Sequence, residues 1–223
     1  TIQSLSMGAF TSVNNAFVGA SNKNLFVSGT TEMGARASLV NFAGSYRLGT
    51  LANFDTVTRT MNSEPAFFLG DREGASMGLL EFRGADIATN DASFIIYGAN
   101  SFVRDQNTGL NAFRHLAVNN GFLGLNDGYK LTTTGNLTNT GYIALNGGGG
   151  TRSPELHISG NFVNNGYVNL HGNSTFTVAG GLSGTGSIEI LGLPVVCDVL
   201  GVWTQTGGTL SLGRTNSFFL GGG

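Results

Sequence analysis

A turn motif returns at a nearly fixed interval along the second half of the chain, and this recurrence constrains the fold more than any other feature of the sequence. Val118-Asn119-Asn120-Gly121-Phe122-Leu123-Gly124-Leu125 matches Val163-Asn164-Asn165-Gly166-Tyr167-Val168-Asn169-Leu170, with Phe122/Tyr167 and Leu123/Val168 as conservative exchanges and Gly124/Asn169 as the one mismatch. A third copy runs from Gly135 to Leu145 and a fourth from Gly180 to Ile190. A looser one spans Gly201 to Leu212, with Trp203 in the Leu137 position and Gly207-Gly208 at the turn. The turn glycines Gly121, Gly141, Gly166 and Gly186 are separated by 20, 25 and 20 residues. The five extra residues are assigned to a loop over Gly147 to Pro154, a glycine run ending in Thr-Arg-Ser-Pro.

Between these turns lies a second recurring strand, Leu131-Thr132-Thr133, Leu156-His157-Ile158 and Phe176-Thr177-Val178, each followed within two residues by glycine. Side chains on a strand alternate between its two faces. Ile143 and Leu145, Val168 and Leu170, and Ile188 and Ile190 therefore form inward columns, while Tyr142 and Ala144 point outward. The first half is less regular. Val13-Asn14-Asn15-Ala16-Phe17-Val18-Gly19 reads as the same turn with Ala16 in the glycine position, and Leu25-Phe26-Val27-Ser28-Gly29 matches Leu156-His157-Ile158-Ser159-Gly160. Ala66-Phe67-Phe68-Leu69-Gly70 resembles Ser217-Phe218-Phe219-Leu220-Gly221.

Short alternating strands recurring about every 20 residues predict an all-β, right-handed parallel β-helix (β-solenoid) in which each strand pairs with its equivalent in the next coil. Residues 1–223 form one domain on this reading, less regular in 1–110 and most regular in 111–223. Dividing 223 residues by ~20 gives about eleven coils and a rod about 50 Å long. Glycine, and asparagine to a lesser degree, are expected at the corners to supply positive φ. The alternative is an antiparallel β-sandwich, which also uses short strands and glycine turns but does not require equivalent residues at a fixed period.

Composition agrees with a packed repeat. The 36 glycines would suit a flexible chain, but 40% hydrophobic residues and 16 phenylalanines require a core. Only 11% of residues are charged and the net charge is −2. With lysine only at Lys23 and Lys130 and the arginines scattered, there is no basic stripe for nucleic acid. The single cysteine, Cys197, excludes an internal disulfide and any multi-thiolate metal site, and reads as a small buried hydrophobe. No run approaches the ~18 apolar residues of a membrane helix. A start at Thr1 without a leader fits a processed mature protein or an excised fragment.

The segments Gly135 to Leu145, Gly160 to Leu170, Gly180 to Ile190 and Thr204 to Leu212 resemble the repeats of bacterial autotransporter-type and haemagglutinin-type surface proteins. The resemblance covers about 110 residues of the second half and implies a β-helix exported to the cell surface. Many adhesins, filaments and polysaccharide-active enzymes share such repeats, so it implies fold more firmly than function.

A polysaccharide lyase or hydrolase would need carboxylates gathered on one face. Asp71-Arg72-Glu73, with Asp86, Asp91 and Asp105 further along, is the best local candidate, against the simpler reading of a solvated loop. His115, His157 and His171 have neither metal-ligand spacing nor a cysteine partner. His157 is expected to face outward between Leu156 and Ile158. Gly147 to Gly150 lacks the Lys-Ser/Thr ending of a phosphate loop. No catalytic, cofactor or metal site is therefore assigned, and the chain is read as a non-enzyme.

Phe122, Tyr142 and Tyr167 are expected to form an outward column that either packs or contacts sugars, packing being preferred. Asn136-Leu137-Thr138 and Asn173-Ser174-Thr175 fit the N-glycosylation pattern, placing acceptors at Asn136 and Asn173. Because the repeat begins by about residue 13 and persists to the last residues, little chain is left for caps, and exposed strand edges favour self-pairing. The expected role is a structural subunit of an extracellular or cell-surface fibre associating head to tail. An adhesin or carbohydrate-binding rod with glycan partners is the alternative, and a polysaccharide lyase or hydrolase follows it.

Overall fold

The computed structural model describes residues 5–7, 15–19, 24–34, 37–63, 65–72, 76–147, 152–192 and 194–213, with backbone alone for the first two segments. The protein is all-β, a solenoid of about 8 turns with ~23 residues per turn. Each coil has three faces. The first is one nine-stranded parallel sheet running from Asn15–Gly19 to Leu210–Leu212. The second begins as a four-stranded sheet ending at Phe102–Asp105 and resumes as another from Lys130–Thr133 to Val195–Val199. The third changes sheets at an antiparallel hairpin, Phe54–Asp55 against Thr60–Met61.

Register along the first face explains why the repeat is plain in one half and weak in the other. Phe122 pairs with Tyr142, Tyr142 with Tyr167 and Tyr167 with Ser187, reproducing the spacing of 20, 25 and 20 residues. Earlier coils are longer: Ser38 pairs with Ala66, Ala66 with Ser93 and Ser93 with Phe122, at intervals of 28, 27 and 29. The extra residues lie in the hairpin at 54–61, the segment 70–78 and the loop 105–117. The expected eleven coils are therefore corrected to about eight, and the rod to about 38 Å at ~4.8 Å per coil.

The last of these loops also fills the interior. It sends Ala112, Phe113 and Leu116 into the core, where the Phe113 ring meets Phe94 edge-on at 4.9 Å while Phe67 stacks on Phe94 at 4.5 Å. Ile143, Leu145, Val168, Leu170, Ile188 and Ile190 all face inward and are buried, each contributing roughly 1.5–3 kcal/mol. Trp203 aligns with Leu182, Phe162 and Leu137, as its sequence position predicts.

Two expectations are corrected. Ala16 pairs with Ser38, in the column that leads to Phe122, so it does not occupy the glycine position. The shift of one residue puts Phe17 in register with inward Leu39, as a one-residue slip exchanges the faces of a strand. Glycines at several corners, among them Gly70, Gly98 and Gly128, do have positive φ, but those of the repeated turn column are selected for a different reason. Gly121, Gly141, Gly166 and Gly186 do not have left-handed φ. A Cβ on Gly141 would lie 2.2 Å from the Gly121 carbonyl oxygen, and one on Gly166 would lie 2.1 Å from that of Gly141. The column is glycine because consecutive coils touch there. Of this column Gly208 alone adopts positive φ, 66°. The Ser217 to Gly221 copy lies outside the described residues.

Candidate functional site

Two features occupy the outer surface of the first face. The first is the aromatic column. Phe122, Tyr142 and Tyr167 stand one coil apart as expected, with ring centroids 5.1 and 5.0 Å apart and interplanar angles of 15° and 25°. Both neighbours of the Tyr142 ring are therefore other rings. The column lies beside small residues: a Cβ on Gly124 would come within 2.9 Å of the Phe122 ring, and Ala144 pairs with Gly124. At its far end the Tyr167 hydroxyl donates to the Glu189 carboxylate, which also accepts from Asn169 Nδ2 at 3.0 Å. This bond raises the Tyr167 pKa, whereas for Tyr142 burial leads and the Glu189 charge adds to it. The arrangement joins four coils from outside.

The second feature is a groove of about 400 Å³ in the earlier coils, which the sequence reading did not anticipate. Its floor is Val40, Phe68 and Ile95, a column in register across three coils. Phe42 and Tyr97 line it further along the strands, and Ser38, Arg72 and the Tyr97 hydroxyl are the polar groups of its lining residues. The signal lay in Val40, Phe68 and Ile95 occupying outward positions, but irregular coil lengths concealed their alignment.

A third ladder lies inside. Asn90 Nδ2 donates to Asn119 Oδ1 at 2.8 Å, Asn119 to Asn139 at 2.8 Å and Asn139 to Asn164 at 2.9 Å, and all four residues are buried. The ladder ends where Asn164 Nδ2 reaches the Ser187 carbonyl at 3.0 Å. The first asparagine of each Asn-Asn-Gly or Asn-Thr-Gly corner is thus a coil-to-coil hydrogen-bonding group and has no left-handed φ. The residue after it faces solvent, with Thr140 Oγ1 donating to Asn120 Oδ1 at 2.5 Å.

The carboxylates considered for catalysis are dispersed. Asp86 meets Arg59, Arg114 and His115 at 2.9, 3.3 and 2.9 Å. Asp91 accepts from Asn120 at 2.7 Å, and Asp105 caps a turn through Gly84, Asn107 and Thr108. Asp71 acts electrostatically on Asp127, whose carboxyl is raised first by burial and then by that charge. Glu73 lies outside the described residues. Among the described residues no group of three His, Cys, Asp or Glu could hold a metal ion. Glu81 is buried between Arg47 and Arg104 at 2.6 and 2.7 Å.

His157 points outward between buried Leu156 and Ile158, and His171 is exposed. Cys197, expected to be buried, is only partly so where it packs against the core, and burial followed by the Asp198 charge pushes its thiol up to about 12. Asn136 is exposed at a corner, where its Oδ1 accepts the Asn161 backbone N–H at 2.8 Å. Asn173 has positive φ, 53°, and is partly exposed. No helix among the described residues is long and apolar enough to cross a membrane. No protein-family model matches this sequence, and no curated protein or solved structure shows significant similarity to it.

Proposed function

We propose that the chain is a structural rod of an extracellular or cell-surface assembly, joining head to tail through the edges of its coils, and that it is not an enzyme. One observation carries this reading. Leu210 and Leu212 continue the inward column of Ile188 and Ile190, yet they are 40% and 41% exposed where their partners are 1% and 3% exposed. The strands Val195–Val199, Trp203–Gln205 and Leu210–Leu212 are each paired on one side within the described structure. A further coil stacked there would bury those leucines and complete three ladders together, and a second copy of the chain is the source of that coil on this proposal. Surface location is supported by the low charge content and by the repeat's resemblance to autotransporter-type and haemagglutinin-type proteins.

Sedimentation velocity over a concentration series tests the reading. Association that grows with concentration and is lost in the Leu210→Asp, Leu212→Asp double variant is expected. A chain that stays monomeric throughout, or a double variant that associates equally well, overturns it.

A carbohydrate-binding rod is the second reading, favoured by the Glu189 and Asn169 polar groups at the end of the aromatic column. It requires glycan-array binding that disappears when Tyr142 and Tyr167 are replaced by alanine. The stacking of each ring on the next weighs toward packing, because a sugar platform needs an open ring face.

A further inference from the structure

The outer surface of the nine-stranded sheet changes pattern along the rod. From Phe122 to Tyr167 the large ring occupies one column, and the adjoining column holds Gly124, Ala144 and Asn169. In the three coils before it the sizes are exchanged. Ser38, Ala66 and Ser93 stand in the ring column, and Val40, Phe68 and Ile95 stand beside them. Side chains of the first column cover the small residues in the later coils, whereas in the earlier coils the first column is too short to cover the apolar floor. The groove is what remains open.

We propose that this groove binds an amphipathic small molecule, an apolar body with a single anionic head, with the body on Phe68 and Ile95 and the head at Arg72. Its volume falls in the range of about 300–1,000 Å³ typical of small-molecule sites. The floor is apolar, Phe42 and Tyr97 add aromatic surface, and Arg72 is the one charged residue in the lining among the described residues. A guanidinium beside an apolar surface selects an anionic group by charge complementarity. An oligosaccharide would need more hydrogen-bonding groups than Ser38, Tyr97 and Arg72 provide. An added protein strand is disfavoured because this is a sheet face, with Ala66–Leu69 already paired on both sides.

Isothermal titration calorimetry of the whole chain with naphthalene-2-sulfonate and its neutral analogue naphthalene-2-sulfonamide tests the proposal. Both bind at one per chain. Arg72→Gln weakens the sulfonate about tenfold and leaves the sulfonamide unchanged, while Phe68→Ser abolishes both. Ile95→Ser serves the same purpose if Phe68→Ser does not fold. Failure of the sulfonate to bind the unmodified chain overturns the proposal. So does unchanged binding in the floor variant, or an equal effect of Arg72→Gln on the two ligands.

Discussion

Asn139 donates its Nδ2 hydrogen to Asn164 Oδ1 at 2.9 Å, joining two coils from positions 25 residues apart. The same side chain accepts from Asn119 at 2.8 Å, and its Nδ2 also lies 3.3 and 3.2 Å from the carbonyls of Gly141 and Tyr167. Asn139→Leu leaves the buried Asn164 acceptor without its partner, while Asn119 Nδ2 keeps only its longer bonds to the Gly121 and Tyr142 carbonyls, both at 3.3 Å. At about 1–3 kcal/mol for one orphaned buried group, the loss is about 1–3 kcal/mol. Asn139→Asp keeps the shape but cannot donate to Asn164 while ionised, so its stability should recover as acid protonates the carboxyl. Denaturant midpoints for the three chains at pH 7 and pH 4 check both statements.

Gly141→Ala and Gly135→Ala should differ sharply. The added methyl at Gly141 meets the Gly121 carbonyl oxygen, a backbone atom that cannot turn aside, whereas nothing lies within 4 Å at Gly135. Neither residue has positive φ. The first substitution should cost about 3 kcal/mol or more and the second should be close to neutral. Thermal unfolding of the pair measures the contrast.

The aromatic column makes a coupling prediction. Tyr142→Ala removes two ring contacts and should cost about 1–3 kcal/mol beyond the lost area, with Phe122→Ala or Tyr167→Ala costing about half as much. A double-mutant cycle between Phe122 and Tyr142 should return about 0.5–1.5 kcal/mol. Coupling near zero would mean that the rings do not stack in solution.

Stability should fall in alkali. Buried Tyr129 has its hydroxyl pushed up to about 12 from 10.0 by burial, against a lowering contribution from Asn111. Above pH 10 the unfolded chain loses this proton while the folded chain keeps it, so unfolding is favoured as pH rises. The loss is about 1.4 kcal/mol per pH unit between 10 and 12. Cys197, raised in the same direction from 9.0, starts the decline earlier. Urea unfolding from pH 8 to 11 should show the slope, and Tyr129→Phe should flatten its upper part.

The second half was legible because its coils are short and nearly equal, so residues such as Leu137, Phe162, Leu182 and Trp203 could be aligned by counting. Counting failed where insertions changed the interval. The groove column of Val40, Phe68 and Ile95 is regular in space, but coil intervals of 28 and 27 residues hide it in the sequence. The glycines of the column from Gly121 to Gly186 were found for the wrong reason. A torsional requirement and a steric one leave the same residue in the sequence, and only the distance from Gly141 to the Gly121 oxygen separates them. The asparagine ladder left a usable signal in the recurrence of Asn119, Asn139 and Asn164. Their burial could not be read because asparagine is ordinarily a surface residue. The charge hub at Asp86 left none, since Arg59 and Arg114 reach it from separate loops.

Cryo-electron microscopy of the purified chain over a range of concentrations tests the central claim most directly. Stacked coils that continue from one copy to the next predict filaments with a layer line near 4.8 Å along the axis and a subunit rise of about 43 Å, one layer for each strand of the nine-stranded sheet. Isolated particles about 38 Å long at every concentration would contradict the end-to-end assembly, and filaments whose strands do not lie across the axis would contradict the continuous solenoid on which it rests.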